Sequence, residues 1–356
     1  MKSPRKKSEP ALLIKPPRQT ECLFGHHEAE ATMLDAYRSG RIAHAWLMEG
    51  PQGIGKATLA YRMARFVLAH GEPSAPAVQR AQTLSVDPDH PVARQVAAGA
   101  HGGLLTIERV ENEKKKTGEL YTVIRVEESR GVIPFFGATA AGEGWRVCIV
   151  DTVDELNDNA ANALLKALEE PPRRSLFLLV SNSPARALAT IRSRCRRLRL
   201  RPLSVPDVMA AAAEAAALDV NNPQLREAAA AAEGRVAQAL TLLGGGALEL
   251  QQRVAALLAG LPRVDGAEMH ELGDRLGSAD RAALAVFVDG IERWIVEQLR
   301  VNTDCANEKL PHLARLAEVW EKIARAARDV EAYNLDRKPL ILSVFGWLAQ
   351  AVQHAD

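Results

Sequence analysis

The chain has 356 residues, enough for two or three domains rather than one. Lys and Arg total 45 against 44 Asp and Glu, and a formal charge of +1 excludes attachment to nucleic acid by bulk charge, so any polyanion contact must be local. Hydrophobic residues at 47% exclude a disordered chain, and aromatics at 4% argue against a surface built to stack single-stranded bases.

Residues 1–19 carry Lys2, Arg5, Lys6, Lys7, Lys15 and Arg18 with four prolines, and are expected to form a basic flexible tail. From about 20 to 204, short apolar runs alternate with helical patterns. Ile42 to Met48 is a strand-like run ending in a glycine loop, and Leu59, Met63, Phe66 and Val67 recur at helical spacing from Lys56 to Ala69. Val147 to Val150 is a short unbroken apolar strand of the kind a parallel sheet covers on both faces. It leads to a helix whose face is Ala160, Ala163, Leu164, Ala167 and Leu168, stopped by Pro171-Pro172. Leu176 to Val180 is a further strand, and Leu198 and Leu200 alternate with arginines in a last one. Such alternation predicts an α/β domain with a parallel sheet. The stretch 71–143, rich in Pro, Gly and charge (Glu113 to Lys116 among it), is expected to be an insertion with one strand-like run, Tyr121 to Val126.

After Pro202 the pattern turns helical. Twelve alanines between Ala210 and Ala232 predict a small domain of slim helices over 205–246, and Gly244-Gly245-Gly246 marks the next boundary. Residues 247–356 are expected to be all-helical, with helices at Leu250–Leu258, Ala282–Leu299, His312–Ala332 and Leu340–Val352. Trp294, Trp320 and Trp347 lie in amphipathic patterns there, as core anchors or as side chains covered by another subunit. The four cysteines, Cys22, Cys148, Cys195 and Cys305, lie far apart without metal spacing, so neither zinc nor a disulfide framework is expected, and a reducing, cytoplasmic setting fits. No apolar run approaches a membrane span, and the basic N-terminus lacks the apolar stretch of a secretory signal.

Three features carry chemistry. Gly50-Pro51-Gln52-Gly53-Ile54-Gly55-Lys56-Ala57-Thr58 follows a strand and opens a helix, the context of a phosphate-binding loop. Gly50, Gly53 and Gly55 let backbone amides turn inward, and Lys56 reaches the outer phosphates. Ala57 stands where a hydroxyl would serve magnesium; Thr58 lies one residue on, turned by about 100° around the helix, and does not replace it. Asp151 ends an apolar strand at the carboxyl edge of the sheet and faces the crevice, where it could hold magnesium, or it caps the strand; Thr152 follows where an acid would polarise water. Six arginines fall between 192 and 201; Arg199 and Arg201 suit a solvated outer face, whereas Arg194, in a loop ahead of the strand, can project toward a neighbouring molecule.

Together, the glycine loop, the run Asn162 to Pro172 and Ser193-Arg194-Cys195 closely resemble bacterial DNA polymerase III clamp-loader subunits of the AAA+ class, most of all the delta-prime type; Asn334-Leu335-Asp336 is similar as well. The resemblance covers about 20 to 356 and is weakest across 71–143. It implies an AAA+ α/β domain over 20–204, a helical lid over 205–246 and a helical collar over 247–356. It further implies a hetero-oligomer with delta and tau/gamma subunits that loads the sliding clamp onto primed DNA at the expense of ATP, within the DNA polymerase III holoenzyme. In it Arg194 would act in trans as an arginine finger. Ala57, Thr152 and Ala237, the last where active relatives carry a phosphate-sensing arginine, imply that this chain has lost hydrolysis; whether ATP still binds at Lys56 is left open. Two other readings stand beside this one: an active tau/gamma-like or other replication-linked AAA+ ATPase, and a nucleic-acid-binding module using the basic tail and Arg192–Arg201.

Overall fold

The computed structural model describes residues 14–353 apart from 111–120, 122, 126, 128, 130, 138–143, 186, 245, 279–280, 304–309 and 334. The basic residues up to Lys7, the Glu113–Lys116 run, Cys305 and Asn334 therefore lie outside the described residues. The chain divides into two compact units, Pro10–Thr241 and one that takes in Leu242–Asp356.

In the first unit, α1 (His27–Arg38) precedes β1 (Ala45–Glu49), α2 (Lys56–Ala69), α3 (Pro76–Arg80), α4 (Pro91–Ala97) and β2 (Leu104–Glu108). There follow α5 (Val132–Gly137), β3 (Arg146–Asp151), α6 (Asp158–Glu169), β4 (Ser175–Ser181), α7 (Ala189–Arg192) and β5 (Arg196–Arg199). The strands form one parallel sheet in the order β2-β3-β4-β1-β5. This is the expected α/β domain.

Side chains alternate across the pleat, so each central strand feeds two cores. Trp46, Met48, Leu176 and Leu178 pack toward α1 and α2, while Ala45, Leu47, Phe177 and Leu179 pack toward α6. All eight are fully buried, which explains why the central strands are continuous apolar runs. Each large side chain so buried contributes roughly 1.5–3 kcal/mol. Helix α6 begins where Asn157 accepts a hydrogen bond from the Ala160 amide and ends ahead of Pro171.

Two expectations need correction. The stretch 71–143 is not simply an insertion, because Leu104–Glu108 within it is the edge strand β2, paired in register with β3. Only Ile107 of this strand is fully buried, so it lacks the apolar signal of the central strands. The run Tyr121 to Val126 forms no strand among its described residues; Ile124 makes one isolated bridge to Leu156. Residues 14–19, expected as the end of a flexible tail, fold instead: Pro17–Gln19 is a 3-10 turn, and the Lys15 amide donates to Ala215 O at 2.9 Å.

Three helices complete this part of the chain: α8 (Val205–Ala216), α9 (Pro223–Ala231) and α10 (Val236–Leu243). Their buried faces are largely alanine, which lets the helices sit close. The second unit holds helices Ala247–Ala259, Gly266–Ser278, Arg281–Thr303, Leu310–Tyr333 and Arg337–Gln353. Gly266–Ser278 was not expected. Its three glycines interrupt the pattern, and its buried anchors are Leu272 and Leu276. Trp294, Trp320 and Trp347 are each half-buried, with Lys322 Nζ 4.1 Å above the Trp347 ring. Among the described residues no helix is long and apolar enough to cross a membrane.

Candidate functional site

The carboxyl ends of β3, β4 and β1 lie side by side, with Glu49 opposite Ser181 and Asp151 opposite Val180. A cavity of about 440 Å³ opens above them. The glycine loop forms one wall, α8 and α10 contribute Ala211 and Ala237, and the segment around Cys22 and Phe24 closes another side.

The loop is shaped as a cradle. Gly53 and Gly55 have φ of +79° and +100°, a region a side chain disfavours, and a Cβ on Gly53 would stand 2.7 Å from the Ala237 Cβ. Among the described residues the amides of Gly53, Ile54, Gly55, Lys56 and Ala57 donate to no protein acceptor. Five unsatisfied donors at a helix N-terminus make an anion site. The loop's carbonyls, by contrast, are held. Gly53 O accepts from the Ala237 amide at 3.2 Å, and Ile54 O accepts from His26 Nε2 at 2.7 Å. Lys56 Nζ donates to Gly50 O at 2.7 Å and to Pro51 O, so the buried ammonium folds back on its own loop.

Burial pushes the Lys56 ammonium down to about 8, against the pull of Asp151 and Asp154. Burial likewise raises the Asp151 carboxyl to about 6; Glu108 and Glu155 add to the rise, while Lys56 and Arg109 oppose it. Each charge is thus held at a cost that a polyanionic ligand would change.

The structure brings Gly53, Gly55, Lys56, Thr58 and Asp151 to this one cavity; Gly50 starts the loop beside them with its amide on Ser181 O. The residues fit the phosphate chain of a nucleotide. A magnesium site is less complete, since Ala57 and Thr152 line the same cavity without a hydroxyl after the lysine or a second acid after Asp151. Asp154 accepts from Ser181 Oγ at 2.8 Å, Ser183 N at 2.9 Å and Asn182 N. It fixes the end of β4 and aims Asn182 at the cavity. Neither His26 nor Asn182 was singled out by the sequence.

Arg194 is not among the cavity residues. It sits half-exposed in the turn between α7 and β5, its Nη1 donating to Thr190 O at 2.9 Å and its Nη2 to Glu169 Oε1 at 2.7 Å. On β5 itself, Arg197 makes a two-pronged bond to buried Glu49, at 2.7 and 2.8 Å, and Arg196 lies over the Trp46 ring at 4.6 Å. These arginines anchor an edge strand.

The profile of the family described as DNA polymerase III, delta subunit, matches residues 25–204. The DNA polymerase III subunit delta' of Pseudomonas aeruginosa is 37% identical over 153 residues, 43% of this chain and 42% of that protein. The Escherichia coli K12 delta' subunit is 33% identical over 173 residues, 48% of this chain and 46% of that protein. The gamma/tau subunit of Mycobacterium tuberculosis H37Rv is 27% identical over 325 residues, 88% of this chain and 52% of that protein. The chain therefore spans about half or less of the length of these curated relatives. A solved gamma-subunit-related protein of Thermotoga maritima is 16% identical with a TM-score of 0.42, over 90% of this chain and 99% of that one.

Proposed function

The chain belongs to the DNA polymerase III delta-subunit family and is delta'-like, and on that footing we propose that it is a cytoplasmic subunit of the bacterial DNA polymerase III clamp loader that does not itself hydrolyse ATP. Its partners are the delta and tau/gamma subunits, and through that hetero-oligomer the sliding clamp and primed DNA. The helices over 205–246 act as a lid and those over 247–356 as an oligomerising collar. Gly50, Gly53, Gly55, Lys56, Thr58 and Asp151 form a degenerate nucleotide site that takes ATP, when it takes it, as a ligand and not as a substrate.

The observation that carries this reading is the contrast between two places in one domain. The cavity keeps its cradle and Lys56 but lacks the hydroxyl and the second acid. Arg194, in contrast, lies outside the cavity on a partly exposed turn, with its guanidinium oriented by Glu169 and Thr190. A cation aimed from there at the phosphoryl group on an adjacent subunit stabilises charge that develops as the bond breaks, an effect worth roughly 10³–10⁵ in rate. Its planar fork suits that task better than an ammonium would.

In a reconstituted loader, Arg194→Ala should leave the fold and assembly intact while DNA-stimulated ATP turnover, summed over the site Arg194 serves and the sites it does not, falls several-fold; turnover equal to that of the unsubstituted loader overturns the reading. The open cavity with Lys56 in place favours a second reading, an active motor. Steady phosphate release by the isolated chain, abolished in Lys56→Ala, would put that reading first.

A further inference from the structure

We propose that His26 is a positioning residue for the glycine loop: by holding the Ile54 carbonyl it turns the Gly55 amide into the cradle, and so sets how tightly the loop takes the phosphate chain of a nucleotide. The inference rests on reading Gly50 to Thr58 as a nucleotide site and is independent of Arg194.

A trans peptide is planar, with its C=O and N–H pointing opposite ways. Whatever grips the Ile54 carbonyl therefore aims the Gly55 amide. That grip is His26 Nε2, at 2.7 Å. A carbonyl only accepts, so Nε2 carries the proton. Burial holds the imidazole below its ordinary range, with Ile54 O and Asp207 opposing and Lys56 and His27 reinforcing the shift, so the neutral ring with an Nε2–H is the resident form. The ring is also aimed by its backbone: His26 has φ of +54° just ahead of α1, beside Gly25 at +61°.

The neighbouring peptide is held in the same manner from another element. Gly53 O accepts from the Ala237 amide at the start of α10, at 3.2 Å, which aims the Ile54 amide. Two successive loop carbonyls are thus tied outward, one by a main-chain donor and one by a side chain, and the loop's amides are left without protein acceptors. A glycine loop free to flip its peptides would lose conformational entropy at each residue ordered on binding. His26 removes part of that loss before the ligand arrives. Of these two ties the one on Ile54 O is made by a side chain, His26, so it is the part that substitution can test.

The test uses the full chain and a fluorescent ADP analogue in metal-free buffer, with Lys56→Ala as the control that abolishes binding. His26→Ala should weaken binding about five- to tenfold, the loss of one partly buried hydrogen bond. His26→Gln should recover most of it, because its Nε2 sits the same number of bonds from Cα and also donates. The thermal midpoint of each variant is read without nucleotide: a merely structural role would lower the midpoint of His26→Ala and leave the affinity of the folded chain unchanged. Absence of nucleotide binding by the unsubstituted chain, equal affinity of His26→Ala, or failure of His26→Gln to recover each overturns the proposal. None of these outcomes touches the loader assay of Arg194, which fails or succeeds on its own.

Discussion

Arg194 Nη2 lies 2.7 Å from Glu169 Oε1, so the last turn of α6 carries the carboxylate that orients the turn before β5. The pair is about half-exposed, at 35% and 50% of the side-chain surface, and solvent-screened pairs of this kind contribute at most about 1 kcal/mol. Glu169→Gln should therefore leave the urea-unfolding free energy within about 1 kcal/mol of the parent. If the guanidinium is used in trans, the same variant should slow loader turnover by roughly two- to fivefold, less than Arg194→Ala, because the cation is kept but less ordered.

Asp151 has a carboxyl raised from 3.8 to about 6 in the folded chain. A raised carboxyl binds its proton more tightly folded than unfolded, so the folded state is free of penalty below the unfolded value of 3.8, loses stability as pH rises from there to about 6, and carries the whole penalty above it. Asp151→Asn should stabilise the chain by about 1–3 kcal/mol at pH 7.5, part of the gain being offset because Lys56 loses a countercharge. The gain should shrink as pH falls from 6 toward 4. Thermal midpoints across that range check it, and a gain that grows on acidification contradicts the assignment.

Glu30 and Arg62 form a buried pair between α1 and α2, with Nε 2.6 Å from Oε1. Glu30 also accepts the Leu84 amide at 3.0 Å, and Arg62 also donates to Glu21 O. Glu30→Ala strands a desolvated guanidinium and should cost about 3–5 kcal/mol in urea unfolding, whereas Glu30→Leu with Arg62→Met should cost much less than the single change.

Ala57→Thr restores a hydroxyl after the lysine but leaves Thr152 and Ala237 as they are. Steady phosphate release by the isolated chain should stay at background in this variant. Lys56-dependent turnover appearing with that one change would mean the other two positions are immaterial.

The sequence was informative wherever one local rule dominates. Continuous apolar runs announced β1, β3 and β4 because these strands are covered on both faces. The glycine loop was readable because its glycines, lysine and following helix are contiguous. The edge strand β2 was not, since its side chains are mostly half-exposed and it follows Gly102-Gly103. His26 was invisible for a different reason: its partner is Ile54, and only the packing of α1 against the loop brings the two together. Asp154 gave no local signal either, because its three hydrogen bonds go to Ser181, Asn182 and Ser183 at the end of β4, distant in the chain.

The outer edge of β5 has a consequence for self-association. It ends the sheet, and three of its four residues are exposed arginines, Arg196, Arg197 and Arg199. Two copies that tried to extend the sheet by zipping these edges together would stack like charges at strand spacing, with one Glu49 in each copy already shared between Arg197 and Arg199. The same residues that fasten the strand to its own domain thus keep its open rim from templating fibre-like growth.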